Sequence, residues 1–195
     1  MANHRDTSDG ETVPIPAWAH RIGLLSLCEP PTAGKRDEAL DRQLIQERIA
    51  RYCWAFDERQ ATLLGNCFTE NAIWEGTVLG RIPIGPFNGR DTILQWLTEF
   101  WPYQHDQRRH MLLNTVVEGL SSTRAVTLSY LLLMSADGKA ASIEATGFYR
   151  TAYRLENGMW QISCLTAGFD KPFWPGDLER MSSAGRSRHG IAPGS

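Results

Sequence analysis

RAVTLSYLLLMSADGKAASIEATGFYRTAYRLENGMWQISCLTAGF, residues 124–169, contains three strand-like runs, at 124–135, 142–154 and 159–169. Ala136-Asp137-Gly138-Lys139 and Glu156-Asn157-Gly158 separate them, and such turn-rich breaks suit short hairpins. A fourth run near 108–118 ends at Leu120-Ser121-Ser122 and extends the series upstream. Long strands joined this tightly predict an antiparallel meander.

The half before it reads as helix. Between Asp37 and Phe56, residues Leu40, Leu44, Ile45, Ile49, Tyr52, Cys53 and Phe56 recur at helical spacing, with Asp37 as N-cap. A short helix over 60–68 is expected to turn Leu64 and Phe68 inward. Ala72-Ile73-Trp74-Glu75 opens a strand that the Gly/Pro-rich segment Gly80 to Gly89 turns back. Asp91 to Trp101 reads as a third helix, with Ile93, Leu94, Leu97, Phe100 and Trp101 on one side. Helices first and strands later specify an α+β domain, a curved mixed or antiparallel sheet wrapped over N-terminal helices. It is expected to occupy residues 36–175. Residues 1–35, broken by Pro14, Pro16 and Pro30-Pro31, read as an extension whose apolar stretch Ala17 to Leu27 suits docking. Residues 176–195, rich in Gly, Ser, Arg and Pro, read as a mobile tail.

The chain has 195 residues, 42% of them hydrophobic, enough for one well-cored domain. A net charge of −2 makes no electrostatic case for nucleic acid or anionic membrane. Cys28, Cys53, Cys67 and Cys164 are scattered and read as small buried hydrophobes in a reducing compartment. No stretch is long and apolar enough to span a bilayer. The polar start, Met1 to Glu11, is unlike a signal peptide, so the cytoplasm is expected. GxGxxG, Walker, HExxH and GxSxG motifs are absent and the histidines are dispersed, so a metal-free site is expected.

Two residues carry the chemistry. Asp57 lies in line with Cys53 and Ile49, on the stripe that should face the core. A carboxylate there is costly without a partner, and the negative end of the helix dipole disfavours its charge further. It is either tied to a cation, with Arg59 as the nearest, or poised for proton transfer. In Arg109-His110-Met111-Leu112-Leu113-Asn114-Thr115-Val116-Val117, residues His110, Leu112, Asn114 and Val116 share one face by period two. A sheet folded over the first helix buries that face and brings His110 and Asn114 beside Asp57. Imidazole held by carboxylate suits a general base. The plainer alternatives are a satisfied core histidine and an Asn114 amide spent on backbone groups. Tyr52 fits either the core or a proton donor. His105 and His20 fall in loop or extension segments and are expected to be solvated.

Tyr52 to Asp57, Phe68-Thr69-Glu70-Asn71-Ala72-Ile73-Trp74, Gly89-Arg90-Asp91-Thr92-Ile93, Arg109-His110 with Asn114, and Gly147-Phe148-Tyr149 with Gly158-Met159-Trp160 resemble one family. It is the SnoaL-like branch of the nuclear transport factor 2-like superfamily, which includes relatives of scytalone dehydratase and hexachlorocyclohexane dehydrochlorinase. The likeness spans roughly residues 37–170. It implies a cone-shaped barrel with one deep pocket, a homo-oligomer (dimer or trimer) and no cofactor. It also implies that the acid ending helix one and the histidine on the following long strand, Asp57 and His110, are catalytic.

The aromatic residues then suggest the substrate. Phe68, Trp74, Trp101, Tyr130 and Tyr149 are candidates to line the cone with Tyr52 and Asn114, around a small hydrophobic, aromatic molecule. Segment 169–174 is a candidate lid or a docked end. The resulting expectation is a cofactor-independent lyase that expels water, halide or a small carbon fragment such as formaldehyde. The rivals are an isomerase or cyclase of polyketide- or steroid-like compounds, and a non-catalytic binding or assembly module, including the small subunit of an aromatic-ring dioxygenase.

Overall fold

The computed structural model describes residues 38–172; the expected extension (1–35) and tail (176–195) lie outside that range. Helix α1 (Glu38–Asp57) is followed by α2 (Ala61–Gly65), β1 (Phe68–Val78), β2 (Ile82–Asn88) and α3 (Arg90–Thr98). After a 3-10 turn at Trp101–Tyr103 come β3 (Gln107–Leu120), β4 (Arg124–Ala136), β5 (Ala141–Glu156) and β6 (Met159–Phe169). One curved, unclosed sheet results, with strand order β2-β1-β6-β5-β4-β3. All neighbours are antiparallel except β1 and β6, which makes the sheet mixed.

The helices fill the concave side. Ile45, Ile49, Tyr52, Cys53 and Phe56 are the buried stripe of α1, spaced so that all reach the sheet. Leu40 and Leu44, expected on that stripe, are exposed. Arg48 donates from Nε to the Trp160 carbonyl at 2.6 Å, and Trp160 Nε1 donates to Asp41 at 2.8 Å, which fixes α1 against β6. On the other flank Arg90 donates twice to the Phe68 carbonyl, pinning α3 to β1. Free thiols at Cys53, Cys67 and Cys164 are all pushed up by burial. No helix among the described residues is long and apolar enough to cross a membrane.

Several local expectations are corrected. Residue 68 does not end a helix: α2 stops at Gly65 and Phe68 begins β1. The Gly/Pro-rich segment is itself largely strand β2, and its place at the sheet edge explains how Pro83 and Pro86 are tolerated. The third helix ends at Thr98, and Trp101 sits in the 3-10 turn that Pro102 opens. At the β5–β6 hairpin Asn157 and Gly158 both have positive φ, as a two-residue type I′ turn requires.

The sheet is tightest where β5 meets β6. A Cβ placed on Gly147 would sit 1.9 Å from the Gly168 carbonyl oxygen, a backbone atom that cannot swing away. Gly147→Ala is therefore expected to cost roughly 1–3 kcal/mol or more in a urea melt. Unchanged stability would contradict this close approach.

Candidate active site

The end of α1 sets the site. Arg59 N–H donates to the Phe56 carbonyl and Gln60 N–H to the Ala55 carbonyl, the paired bonds of a Schellman stop. Arg59 occupies the left-handed position, φ 56°, usually held by glycine. Its guanidinium donates to the Gln104 carbonyl and ties the helix end to the segment that precedes β3. Asp57, the last helical residue, then faces β3.

There the carboxylate spans two donors of one residue. The His110 backbone N–H reaches Asp57 Oδ2 at 2.7 Å, and His110 Nδ1 lies 2.6 Å from Asp57 Oδ1. Strand β3 is a sheet edge, so this N–H has no ladder partner on its open side, and the carboxylate supplies one. Only 5% of the Asp57 side chain and 9% of the His110 side chain are exposed. Asp57 is hydrogen-bonded to His110 and not to Arg59, whose guanidinium is directed elsewhere. An ionised carboxylate only accepts, so Nδ1 carries the proton in the neutral ring and Nε2 keeps its lone pair. Phe56 packs edge-on against the imidazole, ring centres 5.1 Å apart.

His110 borders a narrow slot under the sheet, whose wall includes Tyr52, Trp74 and Tyr149. The free space there is small, about 70 Å³. Trp74 Nε1 donates to the Tyr52 hydroxyl at 3.3 Å, and Tyr149 packs edge-on against Tyr52 with ring centres 6.2 Å apart. Burial pushes both phenols above their ordinary range; for Tyr149 the neighbouring Tyr52 adds to it. Both therefore stay protonated as donors.

Other expected residues lie elsewhere. Phe68 is core, edge-on behind Tyr52 at 5.6 Å, and Trp101 packs on Phe56 at 6.0 Å. Asn114 and Tyr130 are exposed, Tyr130 by 62%. The reason is a β-bulge between Leu113 and Val116, where Asn114 takes φ 51°. It breaks the period-two pattern: His110 and Leu112 face inward, Asn114 leaves that face, and Val116 flips outward. Of the 169–174 segment, Phe169 ends β6 and forms part of the slot, while Asp170 is pinned to Thr146 by two bonds. Phe173 and Trp174 lie outside the described residues.

The structure adds residues that were not anticipated, Phe56, Trp96, Gln104 and Arg108 among them. Arg108 was within reach, since counting back two from His110 along the inward face lands on it. Among the described residues no three His, Cys, Asp or Glu side chains gather where a metal ion could sit.

A curved, unclosed mixed sheet wrapped over N-terminal helices is the nuclear transport factor 2-like fold. The family model described as SnoaL-like domain matches residues 37–166, and the chain belongs to that family. Among solved structures it is similar to a nuclear transport factor 2-like protein with a cystatin-like fold from Novosphingobium aromaticivorans. That match has TM-score 0.56 and 18% identity over 73% of this chain and 88% of that one. From the same organism, the beta subunit of a provisionally assigned aromatic-ring-hydroxylating dioxygenase matches with TM-score 0.63 and 11% identity, over 73% and 97% of the two chains. A protein provisionally assigned there as a scytalone dehydratase matches with TM-score 0.58 and 18% identity, over 70% and 89%. At these identities the likeness concerns the fold alone. No curated protein sequence matches the chain.

Two measurements check this geometry. Asp57→Asn offers only one good acceptor to two donors, and is expected to lose roughly 1–3 kcal/mol in a urea melt; no loss would contradict the two-donor clasp. Tyr52, Tyr149 and Tyr153 have folded pKa values raised above the ordinary 10.0. Their contribution to stability is thus complete below pH 10 and is lost as pH rises beyond it. Tyrosinate absorbance from these three should lag the ordinary titration and appear together with alkaline unfolding. A normal titration in the folded state would contradict their burial.

Proposed function

We propose that this chain is a cofactor-independent lyase acting on a small hydrophobic, aromatic compound. The observation that carries the reading is the Asp57 carboxylate held to both N–H groups of His110 beside an apolar slot. His110 Nε2 takes a proton from the substrate, and Asp57 stabilises the imidazolium that forms. The released electron pair forms a double bond as a leaving group departs from the neighbouring atom, with Tyr52 as the donor that meets it. Water or halide fits this elimination; formaldehyde would leave instead by C–C cleavage after an O–H proton is taken. A metal or cofactor has no step in this scheme. The likeness to a provisionally assigned scytalone dehydratase agrees with the reading at the level of fold.

Self-association belongs to the same proposal. Met111, Leu113, Tyr130 and Ile143 are exposed on the outer side of β3, β4 and β5, an apolar face that a second copy would cover. Light scattering is expected to give at least twice the 21.9 kDa of one chain. A monomeric mass would contradict the homo-oligomer.

The reaction is tested by incubating the full chain with aryl-bearing alcohols and halides and weighing the products. A product lighter by the leaving group is expected, whereas equal mass would mark an isomerase. His110→Ala keeps the backbone N–H that donates to Asp57, so it should still fold, at a cost in stability, and lose on the order of a hundred- to ten-thousand-fold in turnover. Undiminished turnover in that variant would sink the mechanism.

A further inference from the structure

Gln104 stands where the helix stop meets the slot, and the scheme above gives it no part. Its N–H donates to the Trp101 carbonyl at 3.3 Å, and its own carbonyl accepts from the Arg59 guanidinium. Both backbone groups are thereby used, and φ −90° with ψ 102° sends the chain on toward β3. The residue is 8% exposed and lines the slot. Among the described residues its side-chain amide makes no hydrogen bond. That amide is also not walled in. Among the described residues, the fully enclosed side-chain polar atoms without a partner are Trp101 Nε1 and Thr151 Oγ1. An amide that is unpaired yet still reachable, in a residue this buried, opens on the slot it borders. Keeping it largely out of water is costly, and the cost is offset when a ligand supplies the missing bond.

The neighbouring polar groups indicate which bond that is. Trp74 and Arg108 only donate, and His110 Nε2, bare in the neutral ring, only accepts. The Tyr52 hydroxyl already accepts from Trp74. The Gln104 amide offers an acceptor and a donor side by side, and a half-turn about its last side-chain bond exchanges the two. A hydroxyl satisfies either end, a carbonyl or ether oxygen suits only the nitrogen, and a methyl group suits neither. The walls beside it include Phe56, Trp96 and Phe100, which suit a ring. We propose that Gln104 is a specificity-determining residue that holds a neutral hydroxyl carried on the ligand's aromatic ring. The inference rests on reading the slot as the site of a small aromatic compound, and it holds whether or not that compound is cleaved. Such a site rejects the analogue without the hydroxyl, because the amide is then left unpaired.

The test reads binding rather than turnover. The full chain is titrated near neutral pH with 4-fluorophenol and 4-fluorotoluene, single-ring probes that differ in a hydroxyl against a methyl group, and followed by fluorine NMR. The unaltered protein should bind the phenol roughly tenfold tighter than the toluene. Gln104→Met keeps the backbone carbonyl that Arg59 holds. It should weaken the phenol roughly tenfold and change the toluene by no more than about twofold. Should that variant fail to fold, the side-chain amide signal of Gln104 in nitrogen-15-labelled unaltered protein gives the answer. It should shift with the phenol and stay nearly fixed with the toluene. No preference in the unaltered protein, equal losses for both probes, or an amide signal indifferent to the phenol overturns the assignment. Lost turnover in His110→Ala with the probe preference intact in Gln104→Met sinks this inference alone. Retained turnover in His110→Ala with the preference lost in Gln104→Met sinks only the lyase reading.

Discussion

One carboxylate joins the helical layer to the sheet at the place where chemistry is possible. Asp57 closes α1, His110 lies on the edge strand β3, and two short hydrogen bonds connect them. A buried charge of this kind is tolerated only while both partners are present; removing one typically costs about 3–5 kcal/mol. The geometry depends on where the helix stops. A residue outside the glycine class in the left-handed region costs about 1–2 kcal/mol, and at Arg59 the bond to the Gln104 carbonyl offsets it. That bond also brings the segment before β3 to the helix end. Helix stop, edge strand and slot are therefore a single arrangement.

Residues with strong periodicity made much of this legible in advance. The buried stripe from Ile45 to Phe56, the four long strands and the Asn157-Gly158 turn all follow from spacing and turn chemistry. Period two, intact between Arg108 and Leu112, put His110 on the inward face, while its pairing with Asp57 rested on the family resemblance. Beyond that point a bulge intervenes, and bulges have no periodic signature; Asn114 was assigned inward for that reason alone. Strand β2 was hidden by its two prolines, which mark a loop unless the edge position is known. The parallel pairing of β1 with β6 joins elements about ninety residues apart, which local pattern cannot show. Arg108 was missed because arginine reads as surface, although its parity with His110 was visible.

Fold alone leaves the activity open, since this architecture hosts catalytic and assembling proteins alike. The beta subunit of a dioxygenase and a provisionally assigned dehydratase are both among the similar structures. The nearly dry carboxylate–imidazole pair beside the slot is the feature of this chain on which the proposed catalytic reading rests. The outer sheet face, with Tyr130 exposed, suits contact between copies, while the inner face suits a ligand.

The most direct measurement is the ring-nitrogen NMR spectrum of His110 in protein labelled with nitrogen-15 at histidine, assigned with a His110 variant. A neutral ring clasped by Asp57 must show Nδ1 protonated and Nε2 bare, with the Nδ1 proton slow to exchange. A ring protonated at Nε2, or one averaging between tautomers in contact with water, would contradict the central claim.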